Sequence, residues 1–276
     1  MDIELARTFL EIVRTGSFIA AGDRLHVTQT TVTARIHNLE GQLGCRLFIR
    51  NRAGARVTAD GEQFIAHASQ MLRTWEAAKR ELPLPKGASN MLTLAAETSL
   101  WDPLLLNWLL ELKVHQSTLA VRVEVGERLK LHEQVEQGVV DAALVHQPDY
   151  WPSLQVEQLL EEKLIQVRSN ITEEPYVYVD WGEHFRRQHN AALPALARSA
   201  LYIDLGPLAL QYLIQHGGRG YFRTRVVQPY LDQGLITVVE SAPEFSFPVY
   251  LIYSREHKTP LLDDALLALK KAVKAF

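Results

Sequence analysis

Between positions 29 and 38 stand Gln29, Thr30, Thr31, Thr33, Ala34, Arg35, His37 and Asn38, with no carboxylate before Glu40. Amide, hydroxyl and guanidinium groups match the donors and acceptors on base edges. Acidic or bulky groups would be repelled by phosphates or collide with them. A helix carrying this face suits the major groove of a duplex. A solvent-facing surface is the alternative, but such surfaces normally mix Glu with Lys, and the composition here favours the groove. Downstream, Arg50, Arg52 and Arg56 surround the flexible pair Ala53 and Gly54. Guanidinium groups on such a tip suit phosphates or a minor groove.

A second group of polar side chains falls where strands give way to helices: Thr98, Ser99 and Trp101, then Arg128, Gln147 and Asp204. Free backbone N–H groups at helix starts favour anions, and Arg128 could pair with a ligand carboxylate. Plain capping accounts for Thr98, Ser99 and Asp204 equally well, and packing suits Trp101 better than recognition. The sequence holds no reactive constellation of a familiar kind: no Gly-x-Ser-x-Gly, no Gly-x-x-x-x-Gly-Lys-Ser/Thr, no His-Glu-x-x-His. His184 and His189, five apart, do not share a helix face, so a metal pair is not expected. The single Cys45 excludes a disulfide framework or Cys-rich zinc site, and reads as a small buried filler rather than a redox sensor. No catalytic residue, metal or cofactor is assigned.

These residues need elements to hold them. Leu5, Phe9, Ile12 and Val13 line one face of a first helix ended by Gly16, and Ser17 can cap a second helix over 18–25. His26 and Val27 form a tight turn. Thr28 caps a third helix, 29–43, whose Val32, Ile36, Leu39 and Leu43 face the other two. Leu47, Phe48 and Val57 flank the arginine-bearing tip as a small hairpin. From 59 to 82 a longer helix carries Phe64, Ile65, Ala68, Leu72, Trp75, Ala78 and Leu82 near a 3.5 repeat, a stripe that needs a partner unless it packs on its own domain, until Pro83, Pro85, Lys86 and Gly87 break it.

Beyond residue 91 strands and helices alternate. A strand over 92–96, a helix opened by Asp102 and Pro103, an alternating strand over 121–125, a helix ending at Gly138 and a buried strand over 139–145 give βαβαβ. A second set follows, containing PYVYVD, ALYIDL, a helix started at Pro207, GLITVVE and PVYLIYS. A final helix begins at Pro260. Two such units make a two-lobed binding fold with a cleft at strand ends.

The chain of 276 residues is 47% apolar and 22% charged, an ordinary packed composition that excludes disorder. Residues 1–90 hold 12 Lys+Arg against 9 Asp+Glu. Within 24–56, Arg24, Arg35, Arg46, Arg50, Arg52 and Arg56 face Glu40 alone, while the remainder of the chain is acidic. Such a block suits a polyanion, and a solvated surface that merely leans positive accounts for the charge equally well. The start, MDIELARTFLEIVRTG, lacks the apolar core of a signal peptide, and no run of ~18 apolar residues could span a membrane. A cytoplasmic protein is expected.

The run 17–61 resembles the N-terminal domain of LysR-type transcriptional regulators. The residues that carry the likeness are Ser17-Phe18, Ala21, Arg24-Leu25, Thr28-Gln29, Leu39-Glu40, Leu43-Gly44, Leu47-Phe48, Arg50 and Thr58-Ala59-Asp60-Gly61. Residues 138–144 are similar to a strand of that family's effector domain, and the likeness weakens after about 165. Gly22 departs from the usual Ala, which would lower the stability of the second helix by roughly 0.5–1 kcal/mol. Ala34 departs from the usual larger group.

The resemblance implies an α/β multidomain chain. It would comprise a winged helix-turn-helix (1–58), a linker and dimerisation helix (59–82), a hinge (83–90) and a two-lobed α/β, periplasmic-binding-protein-like (type 2) effector domain (91–276). It implies a sequence-specific regulator of promoter DNA, working as a homodimer or homotetramer and modulated by a small-molecule effector. The DNA-binding residues would be Ser17, Thr28, Gln29, Thr30, Thr31, Thr33, Ala34, Arg35, His37, Arg50, Arg52 and Arg56, and the dimerisation residues Phe64, Ala68, Leu72, Trp75 and Leu82. An enzyme or solute carrier on the same two-lobed fold is the alternative.

Overall fold

A computed structural model of the chain describes residues 2–51, 54–256 and 258–274. Two compact units result: the first runs to Pro85 and takes in Gln137–Val139, and the second holds Lys86–Glu136 and the chain from Val140 onward.

In the first unit, α1 (Ile3–Thr15), α2 (Phe18–Leu25) and α3 (Gln29–Leu43) precede a hairpin of β1 (Phe48–Asn51) and β2 (Gly54–Val57), then α4 (Ala59–Glu81). The caps follow the sequence. Asp2 accepts from Glu4 N, Ser17 from Ala20 N, Thr28 from Thr31 N and Thr58 from Gly61 N, while Gly16, His26 and Gly44 end helices in the left-handed region. Phe9, Phe18, Phe48 and Phe64 interlock, with Phe9 5.2 Å from Phe48 and 5.1 Å from Phe64 between ring centroids. Val32, Ile36, Leu39 and Leu47 close the same core.

Gly22 is not a weakness here. A Cβ at this position would stand 2.8 Å from the carbonyl oxygen of Val27, because the turn between α2 and α3 folds back onto α2. Close approach, not helix propensity, decides this position.

In the second unit, β3 (Asn90–Glu97), β4 (Leu119–Gly126) and β5 (Ala142–Val145) are parallel, as the βαβαβ order requires. The sheet order is β4-β3-β5-β13-β6, where β6 is Leu154–Leu160 and β13 is Val249–Ser254. The strand PVYLIYS therefore does not extend the second set. It returns antiparallel between β5 and β6, where Val249, Leu251 and Tyr253 join the core of Leu94, Leu144 and Trp108. α5 (Leu106–His115) and α10 (Pro260–Lys274) cover this core, joined by Trp108 Nε1 donating to Ala265 O at 2.7 Å.

β5 is shorter than the expected 139–145, because the Asp141 carboxylate accepts from Thr93 N at 2.7 Å and so takes over part of the ladder. Asp102 does not open a regular helix. It lies extended (φ −128°, ψ 133°), as a residue before proline prefers, and α5 begins only at Leu106.

The second lobe centres on β7 (Lys163–Ser169), flanked antiparallel by β10 (Arg219–Arg223) and β11 (Ile236–Val238), with β12 (Phe245–Ser246) also on β7. A parallel pair, β8 (Val177–Val179) and β9 (Leu201–Ile203), adjoins β10 through a Tyr176–Arg219 bridge. α7 (Glu183–Ala192), α8 (Gly206–His216) and α9 (Thr224–Asp232) cover this lobe, and α6 (Arg128–Glu136) packs in the first.

Candidate nucleic-acid interface and ligand cleft

The hydrophobic seam of α3 buries Val32, Ile36 and Leu39, which turns the opposite side outward, but Leu43, expected on the same seam, stands in the last turn before Gly44 and is exposed. Thr28, Gln29, Thr30, Ala34, His37 and Asn38 are exposed; Thr31 and Thr33 are half-buried. The Thr28 and Thr31 hydroxyls lie 2.9 Å apart and hold the first turn. Ser17 is half-buried and spends its hydroxyl on the Ala20 N–H at 3.3 Å.

Arg35 departs from the expected role. It points back onto α1, its Nη1 3.2 Å from Thr8 Oγ1 and 3.4 Å from Glu4 Oε2. Glu4 also takes Arg7 at 2.7 Å, and Arg7 reaches Glu76 of α4 at 3.0 Å. The guanidinium therefore positions α3 within the unit instead of standing on the open face.

The hairpin is anchored by a carboxylate. Glu40 is buried, its Oε1 accepting from Leu47 N at 2.8 Å and Phe48 N at 3.3 Å, while Oε2 takes Arg46 at 3.3 Å. At the base, a Cβ on Gly61 would meet Leu47 O at 2.5 Å, so this first turn of α4 admits only glycine without rearrangement. Arg56 is exposed on β2. The Arg52 contact and the Arg50 side chain lie outside the described residues.

The stripe on α4 divides in two. Phe64, Ala68 and Leu72 are buried in the unit's own core, and α1 lies over them. This corrects the expectation that all five stripe residues face a second subunit. Trp75 remains 47% exposed and Leu82 72% exposed. Trp75 lines an open, largely apolar groove of about 780 Å³ with Ile3, His67, Met71 and Ala78.

In the second unit a cleft of about 280 Å³ gathers Glu97, Thr98 and Ser99 at the end of β3, Gly126–Arg128 at the end of β4, Asp180–Gly182 after β8 and Asp204–Pro207 after β9, with Phe247 behind. Of the expected ligand residues, Thr98, Ser99, Arg128 and Asp204 converge here. Trp101 and Gln147 are exposed and do not line the cleft. Arg128 pairs with Asp149 at 2.5 Å, and Asp180 with Arg186 at 2.5 Å. Burial pushes the Glu97 carboxyl up to about 7, against the pull of the His146 N–H and of Arg128.

Beneath the cleft lies a buried polar chain. Glu162 receives Arg223 through Nε at 2.9 Å and Nη2 at 2.7 Å, and Arg223 Nη1 also donates to the Ser99 carbonyl. The Ser99 hydroxyl lies 3.0 Å from His146 Nε2, and His146 Nδ1 lies 3.0 Å from Pro248 O. Since a carbonyl only accepts, Nδ1 carries the proton and Nε2 accepts from Ser99. The pair has a nucleophile–base outline, but it lacks a carboxylate behind the imidazole, and Phe247 stacks over the ring at 3.7 Å. Burial and the Arg223 charge hold the imidazole well below its usual range, against imidazolium formation.

Comparison with known proteins fits this division of labour. Residues 3–62 match the model for bacterial regulatory helix-turn-helix proteins of the lysR family, and 85–274 match the LysR substrate binding domain. The chain belongs to the LysR family. It is a LysR-type transcriptional regulator, with an N-terminal helix-turn-helix and a C-terminal substrate-binding domain. It is 28% identical over 269 residues to the HTH-type transcriptional regulator HdfR of Yersinia pestis (strain Pestoides F), covering 92% of this chain and 90% of the relative. HdfR of Yersinia pseudotuberculosis (serotype O:1b, strain IP 31758) matches equally.

Solved structures share the fold. Full-length LysG from Corynebacterium glutamicum with bound effector Arg superposes with a TM-score of 0.62 at 16% identity, covering 100% and 99% of the two chains. Full-length CbnR complexed with target DNA gives 0.52 at 17%, covering 99% and 100%. No helix among the described residues is long and apolar enough to cross a membrane.

In this LysR-family regulator, sequence reasoning missed Glu97, Trp181 and Phe247 in the cleft and the chain Glu162–Arg223–Ser99–His146 below it. Glu97 had a usable signal: it follows directly on the strand expected over 92–96, and ligands meet parallel sheets at carboxyl strand ends. Glu162 and Arg223 had none, being 61 positions apart.

Proposed function

We propose that this LysR-type regulator binds double-stranded promoter DNA as a homodimer or homotetramer, laying the exposed side of α3 in the major groove. The carrying observation is that Thr28, Gln29, Thr30, Ala34, His37 and Asn38 form an exposed, carboxylate-free surface on a helix whose opposite face buries Val32, Ile36 and Leu39 in the core. Gln29, Thr30 and Thr33 contact bases. Thr28, Thr31, His37 and the neighbouring Ser17 and Ala34 lie at the contact, and Arg56 with Arg50 and Arg52 meets the phosphates. CbnR, solved on its target DNA, has the same fold.

The α4 groove at Trp75 and the exposed Leu82 supply the subunit contact. A small-molecule effector occupies the cleft at Thr98, Ser99, Arg128 and Asp204, and changes the placement of the DNA-binding pairs; LysG was solved with Arg as its effector. The protein works in the cytoplasm, without cofactor and without catalysis of its own. The domain limits follow the same reading: 1–58 binds DNA, 59–82 dimerises, 83–90 is the hinge and 91–276 senses ligand.

Gel shift on genomic fragments at ~0.15 M salt tests this. A regulator selects particular fragments over bulk competitor DNA, whereas an enzyme or carrier on this fold selects none.

A further inference from the structure

The charge inventory of the cleft is lopsided. Four carboxylates line it (Glu97, Glu127, Asp180 and Asp204) against the single guanidinium of Arg128. Arg128 is engaged by Asp149, and Asp180 by Arg186. Among the described residues, Glu97, Glu127 and Asp204 have no ion-pair partner. Glu97 Oε1 accepts only the His146 N–H, at 3.1 Å. Two aromatic rings stand beside these carboxylates, Trp181 and Phe247, 5.7 Å apart between centroids.

We propose that the cleft takes a small organic cation, its ammonium or guanidinium group held by Glu97, Glu127 and Asp204 beside Trp181 and Phe247. This rests on reading the cleft as the effector site and names the class of effector. Helix starts at Arg128 and Gly206 open on the same space, and each offers about half a positive charge to an anion. The carboxylates of Glu127 and Asp204 with a partly ionised Glu97 outweigh that, and a purely anionic ligand would have to break the Arg128–Asp149 pair to find a cation.

A ligand cation costs the site nothing of that kind. It supplies the ion-pair partner that Glu97 lacks among the described residues, and the neighbouring Trp181 and Phe247 shield that contact from water. Burial that has already raised the Glu97 carboxyl to about 7 makes the ionised form dependent on such a partner. The volume, about 280 Å³, is at the small end for ligand pockets and limits the occupant to a compact molecule. A carboxylate elsewhere on the same ligand could use the helix starts, so the defining group is the cation.

The test is titration calorimetry on the full-length protein with four probes in two matched pairs: benzylammonium against benzoate, and 1,4-diaminobutane against succinate. Binding of at least one cation is expected, with neither acid binding. Glu97→Gln and Asp204→Asn should each weaken it about ten- to a hundred-fold, the scale of one charge-assisted hydrogen bond. Thermal unfolding of each variant confirms that it folds. Binding of an acid in place of its amine, cation binding unaltered in both variants, or silence from both cations overturns the proposal. The effector reading fails separately: if a cation binds the cleft but leaves DNA occupancy and bending unaltered, the ligand class stands and the regulatory role does not.

Discussion

Arg35 Nη1 donates to Thr8 Oγ1 at 3.2 Å, tying the middle of α3 to α1. With Glu4 receiving both Arg35 and Arg7, and Arg7 reaching Glu76, one polar strand runs across α1, α3 and α4. The most conspicuous cation of the candidate reading helix is thus a positioning group.

Arg35→Ala should therefore act on the fold before it acts on phosphates. The expected cost is about 1 kcal/mol of stability in the N-terminal unit. The dependence of DNA affinity on salt should keep its slope. Denaturant unfolding and binding isotherms at several salt concentrations measure the two; a slope reduced by about one unit would put Arg35 on the DNA after all.

Gly22→Ala tests the turn between α2 and α3. Helix propensity alone would make Ala stabilising by roughly 0.5–1 kcal/mol. With Val27 O only 2.8 Å from the new Cβ, the expectation reverses to a loss of about 1–3 kcal/mol. An unfolding midpoint higher than that of the parent protein would show that the turn can yield.

Glu97 gives a pH signature. Its folded value of about 7 lies above the ordinary 4.5, so between these limits the folded state binds more protons than the unfolded one. Stability from this group is present below about pH 4.5 and is lost as pH rises through about 7. Glu97→Gln removes the penalty, and should stabilise the protein by about 3 kcal/mol at pH 8 but by less than about 1 kcal/mol at pH 5. His132, His146 and His189 work in the opposite sense. Burial lowers all three, so they withdraw stability as pH falls below about 6.5. Thermal unfolding of both proteins across pH 5–8 separates the contributions. A difference that does not grow with pH would contradict the assignment to Glu97.

Much of the N-terminal unit was legible because its signals are local. Ser17, Thr28 and Thr58 cap the turn they stand in, Gly16 and Gly44 end the helix they follow, and the seam of α3 repeats every three or four residues. What escaped was long-range. Nothing near Arg35 marks its tie to Thr8, 27 positions away, and the 3.5 repeat of α4 does not tell Phe64, covered by α1, from Trp75, which is not. In the second unit, apolar alternation identified PVYLIYS as a strand but could not say which sheet receives it, and β7 and β10 were missed. In the cleft, loop-end residues were foreseen from the βαβ rule. Glu97 could have been found the same way, since it ends β3, whereas Phe247 owes its place to the segment before β13, which no local pattern encodes.

The central claim is that the exposed side of α3 reads bases. The most direct measurement compares wild-type protein, Gln29→Ala and Arg56→Ala on a selected promoter fragment and a set of single-base variants, at several salt concentrations. Gln29→Ala is expected to lose about 1–3 kcal/mol of discrimination at particular base pairs while keeping the salt slope. Arg56→Ala should weaken binding uniformly and reduce the slope by about one unit. A uniform loss for Gln29→Ala, equal at every base variant, would contradict direct readout by this helix.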